Sequence, residues 1–251
     1  MPARPTTWTW TRSPGGSAPR AVYDALPDGD RWEFVGSVER NADTSSVMSR
    51  ETKTSRTGEL NLDLTTRLDA GIPNIYTLEA DVEDVSRQHI ANRASITVHP
   101  ADWYIGVRRP NYFLDQKAGL KTELIAVSPS GEVVPGVPIE ITLTQVQWNS
   151  VRRAEGNGLY TWETEKKLVP AGSWTIASGR SPVAFEAPLP NGGYFELQAT
   201  ARQDSGRYAV TTSSFYALGA GYTAWERLDH NRIQLVADKA RYKPGDTARI
   251  M

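Results

Sequence analysis

An all-β fold, built from tandem antiparallel β-sandwich domains of Ig-like type, is predicted by three observations. Apolar residues alternate with polar ones at period 2, turn signals separate the alternating runs, and the chain repeats itself at a spacing near 120 residues. Each strand candidate follows from the first observation. In GELNLDLTT, Leu60, Leu62 and Leu64 oppose Asn61, Asp63 and Thr65. In YTLEADVED, Tyr76, Leu78, Ala80 and Val82 share a face opposite Thr77, Glu79, Asp81 and Glu83. SITV adds Ile96 and Val98. PIEITLTQ sets Ile139, Ile141 and Leu143 against Glu140, Thr142 and Thr144. YFELQATARQ sets Phe195, Leu197, Ala199 and Ala201 against Glu196, Gln198, Thr200 and Arg202, and Ile233 and Leu235 flank Gln234 near the end. One dry and one wet face per strand is the pattern of sheets packed in a sandwich.

Turns fall where Gly, Pro, Asn and Asp cluster: Pro27-Asp28-Gly29, Pro129-Ser130-Gly131, Pro135-Gly136, Pro190 to Gly193, Asp204-Ser205-Gly206 and Pro244-Gly245. Helical periodicity is nearly absent; Arg20–Leu26, bracketed by Gly and Pro, reads as a loop or a single turn. The repeat appears when Leu78 is aligned with Leu197, an offset of 197 − 78 = 119, which also pairs Ala80 with Ala199 and Ser95 with Ser214. The two segments read as the last hairpin of two successive domains, each followed by a linker and a new apolar strand. The expected division is 1–99 as the later part of one sandwich, 100–218 as a whole sandwich, and 229–251 as the first strands of a third. Linkers near Pro100–Tyr104 and Leu218–Asp229 would join them.

Composition narrows the function. Lys and Arg total 28 against 29 Asp and Glu, so the chain has no basic surplus with which to hold phosphates, and no nucleic-acid partner is expected. There is no cysteine, which removes disulfides, thiolate metal sites and thioester chemistry from this chain. No apolar run approaches the ~18 residues of a membrane-spanning helix. MPARPTTWTWTRSPGG lacks the apolar core of a signal peptide, which leaves open whether the chain is cytosolic or begins further upstream.

No catalytic, cofactor-binding or metal-binding residue is assigned. The histidines are His89, His99 and His230. Asp81, Glu83, Asp84 and His89 crowd together, but they fit a solvated strand face and its turn. Asp24, Asp28 and Asp30 lack the spacing and terminal Glu of a calcium loop. Nucleophile-elbow, phosphate-loop and His-Glu-x-x-His motifs are absent. Of the eight tryptophans, Trp8 and Trp10 alternate with threonines as core residues do, and Trp103 and Trp225 lie at the linkers. Trp148 and Trp162 flank the polar stretch NSVRRAEGNG, read as a long loop, and are the best candidates for exposure.

One motif carries a family resemblance. Tyr242-Lys243-Pro244-Gly245-Asp246-Thr247-Ala248, preceded by LVADK, resembles the strand-turn-strand opening of macroglobulin-like domains in the bacterial α2-macroglobulin family. Pro fixes φ at the first corner position and Gly accepts positive φ at the second. The stretches from Ile75 to Arg108, Leu124 to Trp148 and Gly192 to Arg207 resemble other parts of such domains, so the likeness covers the chain from about Glu59 onward. It implies an Ig-like, macroglobulin-like sandwich array and a non-enzymatic scaffold segment of an endopeptidase inhibitor. In such inhibitors a protease cuts a bait segment and is then trapped. It also implies proteases as partners through a longer parent, neighbouring macroglobulin-like domains, no cofactor, no direct membrane insertion in this segment, and a periplasmic or extracellular site with lipid anchoring of the parent. This chain carries no thioester cysteine and no anchor cysteine. Arg152 and Arg153 would attract trypsin-like enzymes, but a sandwich loop accounts for them without a bait role. Two alternatives share the fold: an Ig-like adhesion module, and an accessory carbohydrate-binding sandwich using Trp148 or Trp162.

Overall fold

The computed structural model describes residues 5–36, 44–66, 71–83, 86–155, 159–219 and 247, with side chains of 149–165 left aside. Thirteen strands among them form three sheets, and the one α-helix, α1 (Arg20–Asp24), is a short turn as the sequence suggests. The first sheet has the order β3-β1-β4-β5, from β1 (Pro5–Pro14), β3 (Ser45–Lys53), β4 (Asn74–Glu83) and β5 (His89–Val98). The second, five-stranded, runs β10-β9-β12-β13-β7, from β7 (Phe113–Asp115), β9 (Pro138–Glu155), β10 (Leu159–Ala177), β12 (Gly193–Arg202) and β13 (Tyr208–Leu218). The third runs β11-β8-β6-β2, from β2 (Trp32–Phe34), β6 (Tyr104–Arg108), β8 (Leu120–Val127) and β11 (Val183–Ala187). Pairings are antiparallel except β7 with β13.

The internal repeat is present in the pairing register. Asn74 opposes Val98 and Glu83 opposes His89; 119 residues later Gly193 opposes Ala217 and Arg202 opposes Tyr208. The order β3-β1-β4-β5 matches β10-β9-β12-β13 strand for strand. Sequence alternation became burial as expected in the second hairpin: Phe195, Leu197, Ala199 and Ala201 are fully buried. They meet Ile139, Ile141 and Leu143 of β9 and Ile105, Val107 and Leu124 of the facing sheet. Phe195 and Phe215 stack at 5.8 Å and 12° within this core. Each of the Phe, Leu, Ile and Val side chains contributes about 1.5–3 kcal/mol by leaving water, and each Ala less.

A second core lies on the other side of the β6–β8 sheet. Tyr104, Ile125 and Val127 point away from the sandwich interior and are covered by Val22, Leu26, Trp32 and Phe34. The covering residues come from the segment between β1 and β3, which crosses over and adds β2 beside β6 (Phe34 opposite Gly106). Gly106 makes room for this: a Cβ there would stand 2.7 Å from the Phe34 ring.

Three local expectations need correction. Leu60, Leu62 and Leu64 do line up on one side and pack over Trp8, Trp10 and Tyr76, but residues 59–66 are extended chain, not a hydrogen-bonded strand. Alternation encodes a face; it does not supply a partner strand. Ile96, expected on a dry face, is 49% exposed on β5. The described part of NSVRRAEGNG is not a loop: Asn149–Glu155 continue β9, with Arg152 opposite Trp162 and Arg153 opposite Thr161 on β10. Ile233, Leu235 and the Tyr242–Asp246 corner lie outside the described residues.

Gly36 closes the crossover. Its φ is +76°, and a Cβ would lie 1.8 Å from the Thr212 carbonyl oxygen, whereas Gly16 has open space around it. Gly36→Ala is therefore expected to destabilise the chain by about 1–3 kcal/mol, and Gly16→Ala to change little. Denaturant midpoints of the two variants check this.

Candidate functional site

The feature that organises the described residues is the joint where the segment Ala18–Gly36 and the linker His99–Tyr104 meet the second sandwich. Pro19 precedes α1 without a side-chain cap, and an Arg20–Asp24 ion pair of 2.8 Å spans its single turn. Leu26 to Gly29 then turns back, so that Trp32 and Phe34 enter the sheet. Tyr23 meets Phe34 edge-on at 5.2 Å.

Arg108 ties this entry down. It hydrogen-bonds the Glu123 carboxylate at 2.5 Å, donates also to Asp28, and lies 5.9 Å over the Trp32 ring. The Trp32 indole N–H donates to Asp28 at 3.2 Å. The Glu123 hydrogen bond, with both carboxylates beside it, raises the already high pKa of Arg108. Asp28 is thus an anchor for Arg108 and Trp32, while Asp24 is held by Arg20. The Thr211 hydroxyl continues the tether: the Val35 N–H donates to Thr211 Oγ1, and Thr211 Oγ1 donates to the Ile105 carbonyl at 2.5 Å.

Glu33 alternates to the opposite face of β2, toward the sandwich interior. Burial pushes its carboxyl above the usual carboxylate range, opposed by the nearby Ser213 hydroxyl and by the Arg109 guanidinium at 3.4 Å. The linker has its own lock. Burial raises the Tyr104 phenol and lowers the His99 imidazole, and the Tyr104 hydroxyl and His99 Nδ1 share a hydrogen bond of 2.7 Å. Next in sequence, Asp102 reaches back to the β12–β13 turn. It accepts from Gln203 at 2.8 Å and from Arg207, which together hold its carboxyl below the usual range. Trp103, placed at the linker by the sequence, packs against the main core.

Other sequence candidates stay apart. Asp81 and His89 pair at 2.7 Å on the surface, and no group of three or more potential metal ligands occurs among the described residues. Trp148 is half-buried against Tyr194, and the side chain of Trp162, together with Asp84, Trp225 and His230, lies outside what is described. A shallow groove of about 540 Å³ between Gln116–Leu120 and Glu186–Leu189 brings Lys117 and Glu186 together without a nucleophile or base pair. The crossover itself went unread in the sequence, although RWEFV alternates Trp32, Glu33 and Phe34 as a short strand does.

Comparison with known proteins gives one consistent likeness. No protein-family model matches the chain. The alpha-2-macroglobulin homolog of a Nostoc species is 26% identical over 184 residues, 73% of this chain and 10% of its own length. The alpha-2-macroglobulin of Rickettsia conorii is 22% identical over 195 residues, 76% of this chain and again 10% of its own length. Among solved structures, native E. coli alpha-2-macroglobulin has the same fold over 99% of this chain (TM-score 0.60, 16% identity, 16% of that chain). The E. coli protein activated by porcine elastase matches over 93% (TM-score 0.57, 15% identity, 20% of that chain). The chain spans about a tenth of the length of the curated relatives it matches.

The raised pKa of Glu33 carries a pH dependence. A folded-state value above the unfolded one means that stability is full below the ordinary carboxylate range and falls as pH rises through the raised value. Glu33→Gln should therefore match the parent chain at acid pH and lose less stability toward neutrality, as read from denaturation midpoints across pH. In sequence and in fold, this chain is similar to one segment of the bacterial alpha-2-macroglobulins.

Proposed function

We propose that this chain is a structural scaffold segment of a bacterial alpha-2-macroglobulin-like endopeptidase inhibitor, one that traps proteases after its bait is cut. The observation that carries this reading is the joint. Two sheet systems are connected by an inserted strand, a buried aromatic cluster and a hydrogen-bonded linker, which suits a part that holds and transmits a rearrangement rather than one that performs chemistry. In this reading the chain is not an enzyme, and its parent acts outside the cytoplasm, in the periplasm or beyond, with lipid anchoring there.

The proposed units are 1–99, 100–218 and 229–251, with residues 18–36 as an arm of the first unit laid on the second. The repeat supports this division. Ile90 and Ile96 of β5 are 65% and 49% exposed, whereas Ala209 and Phe215, 119 residues later, are 2% and 0% exposed beneath the β11-β8-β6-β2 sheet. The first unit thus leaves the β5 edge of its sheet face open where its repeat is covered by a second sheet, while Leu60, Leu62 and Leu64 cover Trp8, Trp10 and Tyr76 on the same face. Neighbouring macroglobulin-like domains of the parent and the trapped protease are the proposed partners.

The test is to incubate the full-length parent with an endopeptidase and follow both by size-exclusion chromatography and mass spectrometry. The expected outcome is cleavage outside residues 5–219 and co-elution of protease with parent. Progressive degradation of this segment without complex formation would overturn the proposal.

A further inference from the structure

Among the described residues, every outer strand of the three sheets but one is short or irregular. β2 and β7 have three residues each and β11 has five. β3 and β10 each carry one residue more than the strand they pair with, Val47 and Ala171 respectively. Short strands and bulges are devices that keep a sheet edge from pairing. β5 has neither. Its ten residues run in unbroken register with β4, contain no proline, and are exposed from His89 to Thr97. They include Ile90 and Ile96, 65% and 49% exposed.

The repeat shows which main-chain groups of β5 face outward. On β13 the N–H groups of Val210, Thr212 and Tyr216 leave the hairpin and donate to the carbonyls of Gly71, Val35 and Tyr112, at 2.9, 3.3 and 2.7 Å. Their counterparts 119 residues earlier are Ala91, Arg93 and Thr97. The Arg93 N–H donates to the side chain of its neighbour, Asn92 Oδ1, at 2.8 Å, as a donor turned away from β4 would. An incoming strand therefore meets the peptide groups of the odd-numbered residues, while Ile90, Asn92, Ala94 and Ile96 share one face. This edge complements itself. An antiparallel second β5 centred on Arg93 sets outward groups against outward groups, Ala91 opposite Ser95 and Arg93 opposite Arg93. It also sets Ile90 against Ile96 twice, once on each side of the centre. Glu79 lies opposite Arg93 on β4, so the central row reads Glu79-Arg93-Arg93-Glu79, with a carboxylate behind each guanidinium.

We propose that the β5 edge is where a second copy of this chain pairs, antiparallel about a two-fold axis at Arg93. Two four-stranded sheets then become one continuous sheet. The occupant is a second copy because one edge supplies both halves of the contact: outward peptide groups in register with themselves, and an isoleucine three residues away on each side of the axis. The Asn92–Arg93 hydrogen bond is exchanged for main-chain bonds between the two Arg93 residues. This pairing does not depend on the scaffold reading above.

The chain has no cysteine, so a single introduced one reports the register. Arg93→Cys places two thiols on a hydrogen-bonded cross-strand pair, with Cα atoms about 5.5 Å apart, within reach of a disulfide. Mild oxidation of this variant of the intact chain should give a covalent dimer, whereas Ser49→Cys on the β3 edge should stay monomeric. The unsubstituted chain should show a reversible monomer–dimer equilibrium by sedimentation, in the micromolar range that suits so small an interface. Ile90→Lys should weaken that equilibrium roughly tenfold or more, and Ile96→Lys, on the other half of the same contact, should do likewise. Both positions are exposed, so circular dichroism and the thermal midpoint should not change. A chain that stays monomeric throughout that range overturns the proposal and leaves the edge to a strand from elsewhere. A dimer that both lysine variants leave intact, or a disulfide through Ser49→Cys in place of Arg93→Cys, overturns it too. All of these readouts are taken without protease, so a failure here is separate from a failure of trapping.

Discussion

Everything around the joint depends on three residues, Trp32 to Phe34, being accepted as an edge strand by a sheet built from residues some 70 to 155 positions later. Without them, the outer face of β6 and β8 would present Tyr104, Ile125 and Val127 to water. The loss would be about 1.5–3 kcal/mol for each side chain uncovered. With them, that sheet has a core on both faces and becomes the middle layer between the crossing segment and the five-stranded sheet. Gly106 and Gly36 are the geometric conditions: one leaves room for the Phe34 ring, the other lets the chain pass the Thr212 carbonyl.

The charged groups at the joint act as locators rather than as a source of much stability. Arg108 is fixed by two carboxylates and the Trp32 ring, yet Arg108, Asp28 and Glu123 each keep about a third of their exposure, where solvent screens ion pairs to at most about 1 kcal/mol. Their contribution is direction: Asp28 and Glu123 come from different parts of the chain, and a single guanidinium sets their spacing. Glu33 is the opposite case, a carboxylate on the inner face of β2 whose ionisation works against burial. A joint of this design resists sliding, since displacement by one residue would exchange Glu33 with the flanking aromatics.

Much of the fold was legible in the sequence because it is written in period 2. The β9 and β12 faces, the Trp8 and Trp10 core positions and the 119-residue repeat follow from side-chain alternation, which does not need distant partners to be known. What stayed illegible depends on such partners. Leu60, Leu62 and Leu64 alternate like a strand but lie as extended chain over Trp8 and Trp10. RWEFV is too short to stand out, and its pairing with β6 is a long-range choice made by the Tyr104 and Ile125 surface. The continuation of β9 and β10 through Arg152 and Arg153 was hidden by a polar composition that suggested a loop. The candidate joint was legible only at the His99–Tyr104 linker.

Hydrogen–deuterium exchange on the intact chain tests most directly whether the crossing strand is an integral part of the second sandwich. The amides of Phe34 and Val35 should exchange as slowly as those of Ile105 and Val107, and all should be released together as denaturant is raised. Exchange at Phe34 and Val35 that is orders of magnitude faster, with β6 and β8 still protected, would contradict it, leaving the arm a loosely adsorbed segment and the two units mechanically independent.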